Sequence, residues 1–412
     1  MIGIDGSYVF RFSLGSETDF IQEPDLIQFR LAEEAGGLLP SFEMIFTTDR
    51  DDILSKLNET TDFGVSYGRD TRELVDSSLA IMGLDSSKSG DGKRLISMKG
   101  LYSAIKYMTQ TNLSLSENKS AIEVMRDIVS QHFDTDFNIE ASEDSQIWVQ
   151  PNQTDKSFVK ELWMHSWLEN SFCAIAISSD GKFICKDVSV EFENEFAYKF
   201  TNEARTEDPN AIVYDGDAAL SVSRGFINNW VGYDREQLNF NFEDGTQALV
   251  KESIQPLLAL TQVFAKREDV EKRFASQSVI NKNTHANYWR AARKNLAYLV
   301  QFGETKVTLS FTGFFVPIRV LDVVMFKDKA VGQEGGSAEP HSGLYIVSKI
   351  IRNYQNRQFT TVVELSRESL NQIQGETVTE TPTSGSLAVP ASEEEFTSQD
   401  DQENEALNVS ES

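Results

Sequence analysis

The chain has 412 residues, with 38 Lys and Arg against 64 Asp and Glu, a formal net charge of −26. That length exceeds one ordinary domain, and 40% hydrophobic with 10% aromatic residues is a globular composition that excludes a wholly disordered or fibrous chain. The acidic balance argues against wrapping nucleic acid through its phosphates or docking on an anionic membrane, no run of about 18 apolar residues predicts a membrane span, and the first residues lack the basic-then-apolar pattern of a signal peptide.

Residues 7–14, 26–32 and 40–47 read as strands, the last two alternating apolar and polar side chains at strand period. Gly36, Gly37 and Pro40 mark a turn between the latter two. Further short strands are expected at 63–67, 74–82 and 94–98, with a Gly/Ser-rich loop at 85–93. Close spacing of short strands predicts a small barrel or sandwich. The pattern changes near residue 100. Ser120-Ala121-Ile122-Glu123 is a capping box, in which the hydroxyl and the carboxylate each satisfy an orphan N–H. It opens a helix with Ile122, Met125, Ile128, Val129 and Phe133 on one face. A second helix is expected from Thr154 or Asp155, burying Val159, Leu162, Trp163 and Trp167. Trp163→Ala should cost roughly 3–5 kcal/mol if that ring is buried.

The hairpin FCAIAISSDGKFICKDV follows and holds the chain's two cysteines, Cys173 and Cys185. A turn centred on Ser179-Asp180 sets Cys173 opposite Lys186 and Cys185 opposite Ala174, a register that forms no disulfide. Two buried free thiols are expected. Strand signals return at 212–242, with aromatics at Phe226, Trp230, Tyr233, Phe240 and Phe242. Residues 247–274 read as a helix that Pro256 starts or kinks. A further helix at 285–301 puts Trp289, Ala292, Leu296 and Leu299 on one face and leaves Arg290, Arg293 and Lys294 solvated. Residues 306–311, 315–326, 343–354 and 358–366 alternate strongly, around a Gly-rich loop at 327–342. After Arg367 there is no Lys or Arg, and ten acidic residues lie at 375–412, which leaves −16 on the rest. That Ser/Thr-rich stretch reads as a disordered tail whose deletion leaves melting and assembly unchanged.

Chemistry-bearing patterns are scarce. His132, His165, His285 and His341 include no pair three or four apart, so no helical zinc pair exists, and there is no CxxC. The loop Gly90-Asp91-Gly92-Lys93 fails as a phosphate loop, because Ser87 and Arg94 stand where Gly and Ser or Thr are needed. It fails as a calcium loop because Ile96 replaces the bidentate Glu. No GxSxG elbow occurs, and no carboxylate pair is nominated among 64 acidic residues. No catalytic, cofactor-binding or metal-binding residue is assigned, and no cofactor is expected.

Several segments, taken in order, resemble one family. IWVQPNQTDKSFVKELW at 147–163 resembles a signature of phage and phage-like baseplate hub proteins, and the cysteine hairpin is similar to the element that follows it there. LAEEAGGLLPSFEMIF at 31–46 and SGLYIVSKIIRNYQNRQFTTVVELSRESLN at 342–371 are similar to that family's first-barrel and second-barrel strands. The resemblance spans about 5–371 and implies a multidomain α+β fold with two small antiparallel, tail-tube-like β-barrels. The expected domains are a first barrel from 1–100 plus about 190–245, an inserted α/β domain at 101–189, a helical connector at 246–302, a second barrel at 303–372, and a disordered acidic tail at 373–412.

The resemblance further implies a non-enzymatic structural protein of the virion tail, assembled in the host cytoplasm. Its homotrimer would make a pseudo-sixfold ring, a symmetry adaptor between a hexameric tail tube and a trimeric central spike. Other baseplate proteins would be partners, and DNA would pass through the lumen without specific binding. The spike half of type VI secretion needle proteins is similar. No OB-fold or β-helix region follows the second barrel here, so the spike is expected to be a separate chain. Two other classes compete with this reading. A tail-associated cell-wall hydrolase requires two convergent carboxylates, one with a raised pKa. A tail-tip receptor-binding protein requires an exposed aromatic groove, for which Trp230, Tyr233, Tyr288 and Trp289 are the candidates.

Overall fold

The computed structural model describes residues 9–18, 20–21, 23–59, 63–68, 74–88, 92–169, 171–202, 211–215, 218–222, 234–241, 245, 247–253, 274–280, 284–303, 305–313, 318–328 and 341–367. All of them fall in one compact unit, Met1–Gly375. The expectations at Gly90, Asp91, Phe226, Trp230, Tyr233, Phe242, Pro256, most of the 327–342 loop and the acidic tail lie outside the described residues. The fold is mixed α+β, mostly antiparallel strands with few helices.

A first strand set runs in the order Leu26–Glu34, Ser41–Thr48, Arg94–Tyr102, Val75–Lys88, Phe63–Gly68, Val9–Leu14, all antiparallel. Alternation directs Phe29, Leu31, Phe42, Met44, Phe46, Phe63 and Ile96 into one core. The expected loop at 85–93 is shorter than its composition indicates, because Asp85 to Lys88 pair with Ser97 to Arg94. The helix Ile53–Glu59, absent from the sequence reading, drops Ile53 and Leu57, one turn apart, onto the same core. Gly36 and Gly37 have φ of 106° and 72°, the left-handed turn that the double glycine announces.

The α/β unit follows its sequence closely. The helix Ala121–Val129 carries the full capping box, with Glu123 N–H donating to Ser120 Oγ and Ser120 N–H donating to Glu123 Oε2. The helix Asp155–His165 is capped by Thr154, whose Oγ1 accepts from Ser157 N–H. Trp163 is 6% exposed, and its Nε1 donates to the Cys173 carbonyl at 2.6 Å. Cys173–Ile177 pairs antiparallel with Lys182–Asp187, which also pairs parallel with Asp134–Phe137. Both cysteines are free and buried. Their expected register is one residue off: Cys173 faces Asp187 and Cys185 faces Ile175. Gly181, at φ 83°, adds a third residue to the turn and shifts the ladder. A one-residue shift exchanges faces, so the thiols are diagonal neighbours on one face, and their hydrogen bond together with burial pushes the Cys173 thiol up. Two elements here escaped the sequence reading, the short helix Ile105–Thr109 and the strand Thr111–Lys119, which pairs antiparallel with Gln146–Thr154.

A second strand set surrounds its own core of Phe200, Val307, Leu309, Val324, Phe326, Tyr345, Ile350, Val363 and Leu365. Its strands Thr305–Thr312, Gln358–Arg367, Gly343–Gln355 and Val323–Lys327 pair antiparallel in that order. Tyr198–Thr201 pairs parallel with Val323–Lys327, and Ala219–Val222 pairs antiparallel with Thr305–Thr312. Tyr198–Thr201 and Ala219–Val222 thus take their partners from strands of 305–327. The two sets share a continuous sheet, because Leu26–Glu34 pairs antiparallel with Gly343–Gln355.

The helix expected at 247–274 is corrected at both ends. Gln247–Ser253 and Phe274–Ile280 are strands flanking Asp234–Asn241. Gln, Ala, Leu, Lys and Glu all favour helix, but pairing with the preceding strand overrides that weak preference. The helix Tyr288–Phe302 is present, with its face rotated from the expected one. Ala291, Lys294, Asn295, Tyr298 and Phe302 are buried, and Leu296 is 48% exposed.

Candidate functional site

The strand Leu26–Glu34 and the turn after it meet all three parts of the fold. Phe29, Leu31 and Glu33 share the inward face of that strand, so its alternation carries a carboxylate to the rim of the core. On the neighbouring strand, Ile350, Arg352 and Tyr354 form the matching inward series. Glu33 lies opposite Ile350 in the ladder, which makes Arg352 its diagonal neighbour. Arg352 Nη1 donates to Glu33 Oε2 at 2.6 Å, and each side chain is 3% exposed. Arg352 Nη2 also donates to the Ile318 carbonyl at 2.9 Å.

The α/β hairpin closes this junction. Ser179 N–H donates to Glu33 Oε1, and Ser179 Oγ shares a hydrogen bond with the Tyr67 hydroxyl. Burial pushes that hydroxyl up to about 12. Gly36 N–H donates to the Ile175 carbonyl at 2.7 Å, and Ala35 N–H to the Ser348 carbonyl at 2.9 Å. A buried ion pair without its partner leaves a costly uncompensated charge, so each part holds the others in one arrangement.

A cavity of about 190 Å³ sits at this junction, with Glu33, Tyr67, Asp180, Arg319 and Arg352 in its lining. Two carboxylates face it, as hydrolysis would require, but both are committed. Glu33 is held by Arg352 and Ser179, and Asp180 lies 3.7 Å from Arg319 and 3.6 Å from Lys182. Burial raises the pKa of two carboxyls elsewhere. Asp322, pushed up to about 6, accepts from Arg319 N–H. Asp144 accepts from Ala121 N–H at 2.7 Å and Trp167 N–H at 2.6 Å, which ties the start of one helix to the segment after the other. Neither lines the junction cavity.

The histidines are placed singly or in packing roles. His132 Nε2 lies 2.7 Å from Asp155 Oδ2, and His341 Nε2 lies 2.9 Å from Asp328 Oδ2. His165 stacks on Tyr288 at 3.7 Å, with Trp289 edge-on to both rings and His285 edge-on to Tyr288. Burial lowers both His165 and His285, the latter to about 4. Tyr288 and Trp289 are thus packing aromatics of a helix attachment, and Tyr288 also donates to Glu161 Oε1 at 3.4 Å.

The basic residues on that helix are not a solvated face. Lys294 is 4% exposed, donates to the carbonyls of Leu168 and Glu169, and lies 4.5 Å from the Trp167 ring centroid. Asn295 donates to the carbonyls of Trp163, Met164 and Ser166, at the end of the helix Asp155–His165. Arg290 lies over Trp167 at 4.9 Å and donates to Asn287 Oδ1 at 2.9 Å. Arg293 is half-buried on the same helix. Among the described residues, no three His, Cys, Asp or Glu side chains converge to hold a metal ion.

No protein family's sequence profile matches the chain, and no curated protein matches it. Solved structures do. A tail protein from Neisseria meningitidis matches with a TM-score of 0.59 and 10% identity, over 88% of this chain and 97% of that one. The 43 kDa tail protein of prophage MuSo2 from Shewanella oneidensis matches with a TM-score of 0.52 and 10% identity, over 88% and 97% of the two chains. A component of the type VI secretion system of E. coli aligns at a TM-score of 0.49 and 11% identity, over 88% and 77%. The chain has the fold of phage and prophage tail proteins along most of its length.

Proposed function

We propose that the chain is a structural component of a phage or phage-like tail, a baseplate hub without enzymatic activity. In this reading the two strand-lined cores are two small β-barrels. Three chains close into a ring with six such units, which joins a sixfold tail tube on one side to a threefold central spike on the other. The chain resides in the tail baseplate of the virion, touches tube, spike and other baseplate proteins, and leaves a lumen for DNA. A strongly acidic chain suits such a lumen, because it lets a polyanion pass without adhering.

One observation carries the reading, the agreement of fold with two tail proteins over 97% of their own lengths. The junction supports it by chemistry. Its charged groups are spent on one another, as suits a rigid body that transmits load, and the two carboxylates at its cavity carry ion-pair partners. Light scattering of the purified chain tests the ring: a mass of three chains or a multiple of three is expected, and one chain at every concentration contradicts it.

A further inference from the structure

The two strand sets repeat one connectivity. In the first, Leu26–Glu34, Ser41–Thr48, Phe63–Gly68, Val75–Lys88 and Arg94–Tyr102 pair in the spatial order first, second, fifth, fourth, third. In the second, Ala219–Val222, Thr305–Thr312, Val323–Lys327, Gly343–Gln355 and Gln358–Arg367 pair in the same order. The fourth strand is long in both sets and bulges against the fifth, at Met82 in one and at Ser348 in the other. On its other side, each fourth strand pairs with the third only until just before the bulge, through Leu79 and through Ile346.

Beyond the bulge the two sets differ. The stretch from Lys349 to Gln355 is covered by Leu26–Glu34, the first strand of the other set. Its counterpart, from Gly83 to Lys88, has no strand on that side among the described residues. The counterpart of Leu26–Glu34 is Ala219–Val222, and among the described residues its outer edge is bare as well. Asp85, Ser86, Ser87 and Lys88 are exposed, as are Ala219, Leu220 and Ser221. The two bare edges are the opposite ends of one run of eight antiparallel strands. A bare edge keeps its N–H and C=O groups available to another strand.

We propose that Ala219–Val222 of one copy pairs antiparallel with the Gly83-to-Lys88 edge of the next copy. This repeats between chains the junction that Leu26–Glu34 and Gly343–Gln355 make within one chain. The register follows from superposing the two sets. Matching the bulges aligns Gly83 with Lys349, and the ladders carry the match to Arg30 with Ala219 and Glu33 with Val222. In the internal junction Glu33 faces Ile350 and Arg30 faces Asn353. Between chains Val222 then faces Leu84, and Ala219 faces Ser87.

Side-chain chemistry agrees with that register. Residues directly opposite in an antiparallel ladder share a face. Leu220 and Val222 lie opposite the buried Val307 and Thr305, and Leu84 lies opposite the buried Met98, so all three are on core-facing sides. The pairing sets core side against core side, where a slip of one residue would set it against solvent. Leu220, 43% exposed in the single chain, gains cover. Asp85 faces Ser221, so no carboxylate meets a carboxylate, which matters on a chain of −26. The contact is heterologous, one edge from each copy, and such contacts close into a ring or run on as a filament. Closure at three rests on the ring proposed above, whereas the pairing rests on the two edges.

The test uses the full chain carrying Ser87→Cys or Ala219→Cys, both at exposed positions, under mild oxidation, with the exposed Leu113→Cys as a collision control. The two native thiols are buried. Co-expressed Ser87→Cys and Ala219→Cys chains should crosslink in pairs, and neither variant should crosslink alone. One chain carrying both substitutions should run as a covalent trimer on a denaturing gel without reductant. No crosslink in the co-expressed sample, an equal yield when Leu113→Cys replaces either partner, or a disulfide formed only within the double variant overturns the pairing. The ring is read separately, from solution mass. A threefold mass without the crosslink keeps the ring and overturns the pairing, and a crosslinked closed species of another number keeps the pairing and overturns the threefold ring.

Discussion

The Glu33–Arg352 pair is where a residue does most to fix the arrangement of the parts. Removing one member of a buried pair leaves the other desolvated and unpaired, so Arg352→Met should lower unfolding free energy by about 3–5 kcal/mol in denaturant titration. The double variant with Glu33→Leu should recover part of that loss, because it removes the stranded carboxylate. The pair could have been read from the sequence. Phe29, Leu31 and Glu33 alternate, as do Ile350, Arg352 and Tyr354, and each series carries one opposite charge into the core. A strand read for its apolar members alone passes over such a charge. Another test at this scale is acid sensitivity. Burial holds His285 neutral down to about 4, whereas the unfolded chain takes up its proton near the ordinary value of about 6.5. The unfolded state then binds more protons between these values, so this contribution is present above about 6.5 and is lost as pH falls toward 4. His285→Asn keeps an acceptor for Asn287 N–H and should flatten the fall in melting temperature over that interval. An unchanged slope assigns the acid sensitivity to other groups.

At the scale of elements, the α/β unit was the most legible part. A capping box, a Thr-capped helix and a hairpin each declare themselves within a few residues, and tertiary packing agrees with them. The helix Tyr288–Phe302 was found but turned, because its buried face includes Lys294 and Asn295, which satisfy carbonyls at the end of another helix. No periodicity in hydrophobicity carries that information. Asn295→Ala would leave those carbonyls short of a donor and should cost about 1–3 kcal/mol, read by thermal or chemical denaturation. No measurable loss would show that the helix is held by its apolar contacts alone. The strand Gln247–Ser253 was read as helix from composition. Asp244-Gly245, a dipeptide typical of hairpin turns, was the available contrary signal, and Gly245 has φ 67°.

For the whole molecule, order along the chain was informative where single motifs were weak. Two groups of alternating strands and an α/β segment between them are visible in sequence, and the buried side chains of the described residues fall into three clusters. The partners of Tyr198–Thr201 and Ala219–Val222 were not legible, because short strands state that they pair but not with what. Shared sheet hydrogen bonding between Leu26–Glu34 and Gly343–Gln355, more than 300 positions apart, is equally invisible locally. No catalytic constellation was read in the sequence, and the junction residues that do come together are tied to one another.

The proposed ring of three chains is visible by imaging. Negative-stain class averages of the purified full chain should show a threefold particle with six peripheral lobes and an open axial channel. Compact particles with no axial opening, alone and with tube and spike proteins added, would rule out the ring.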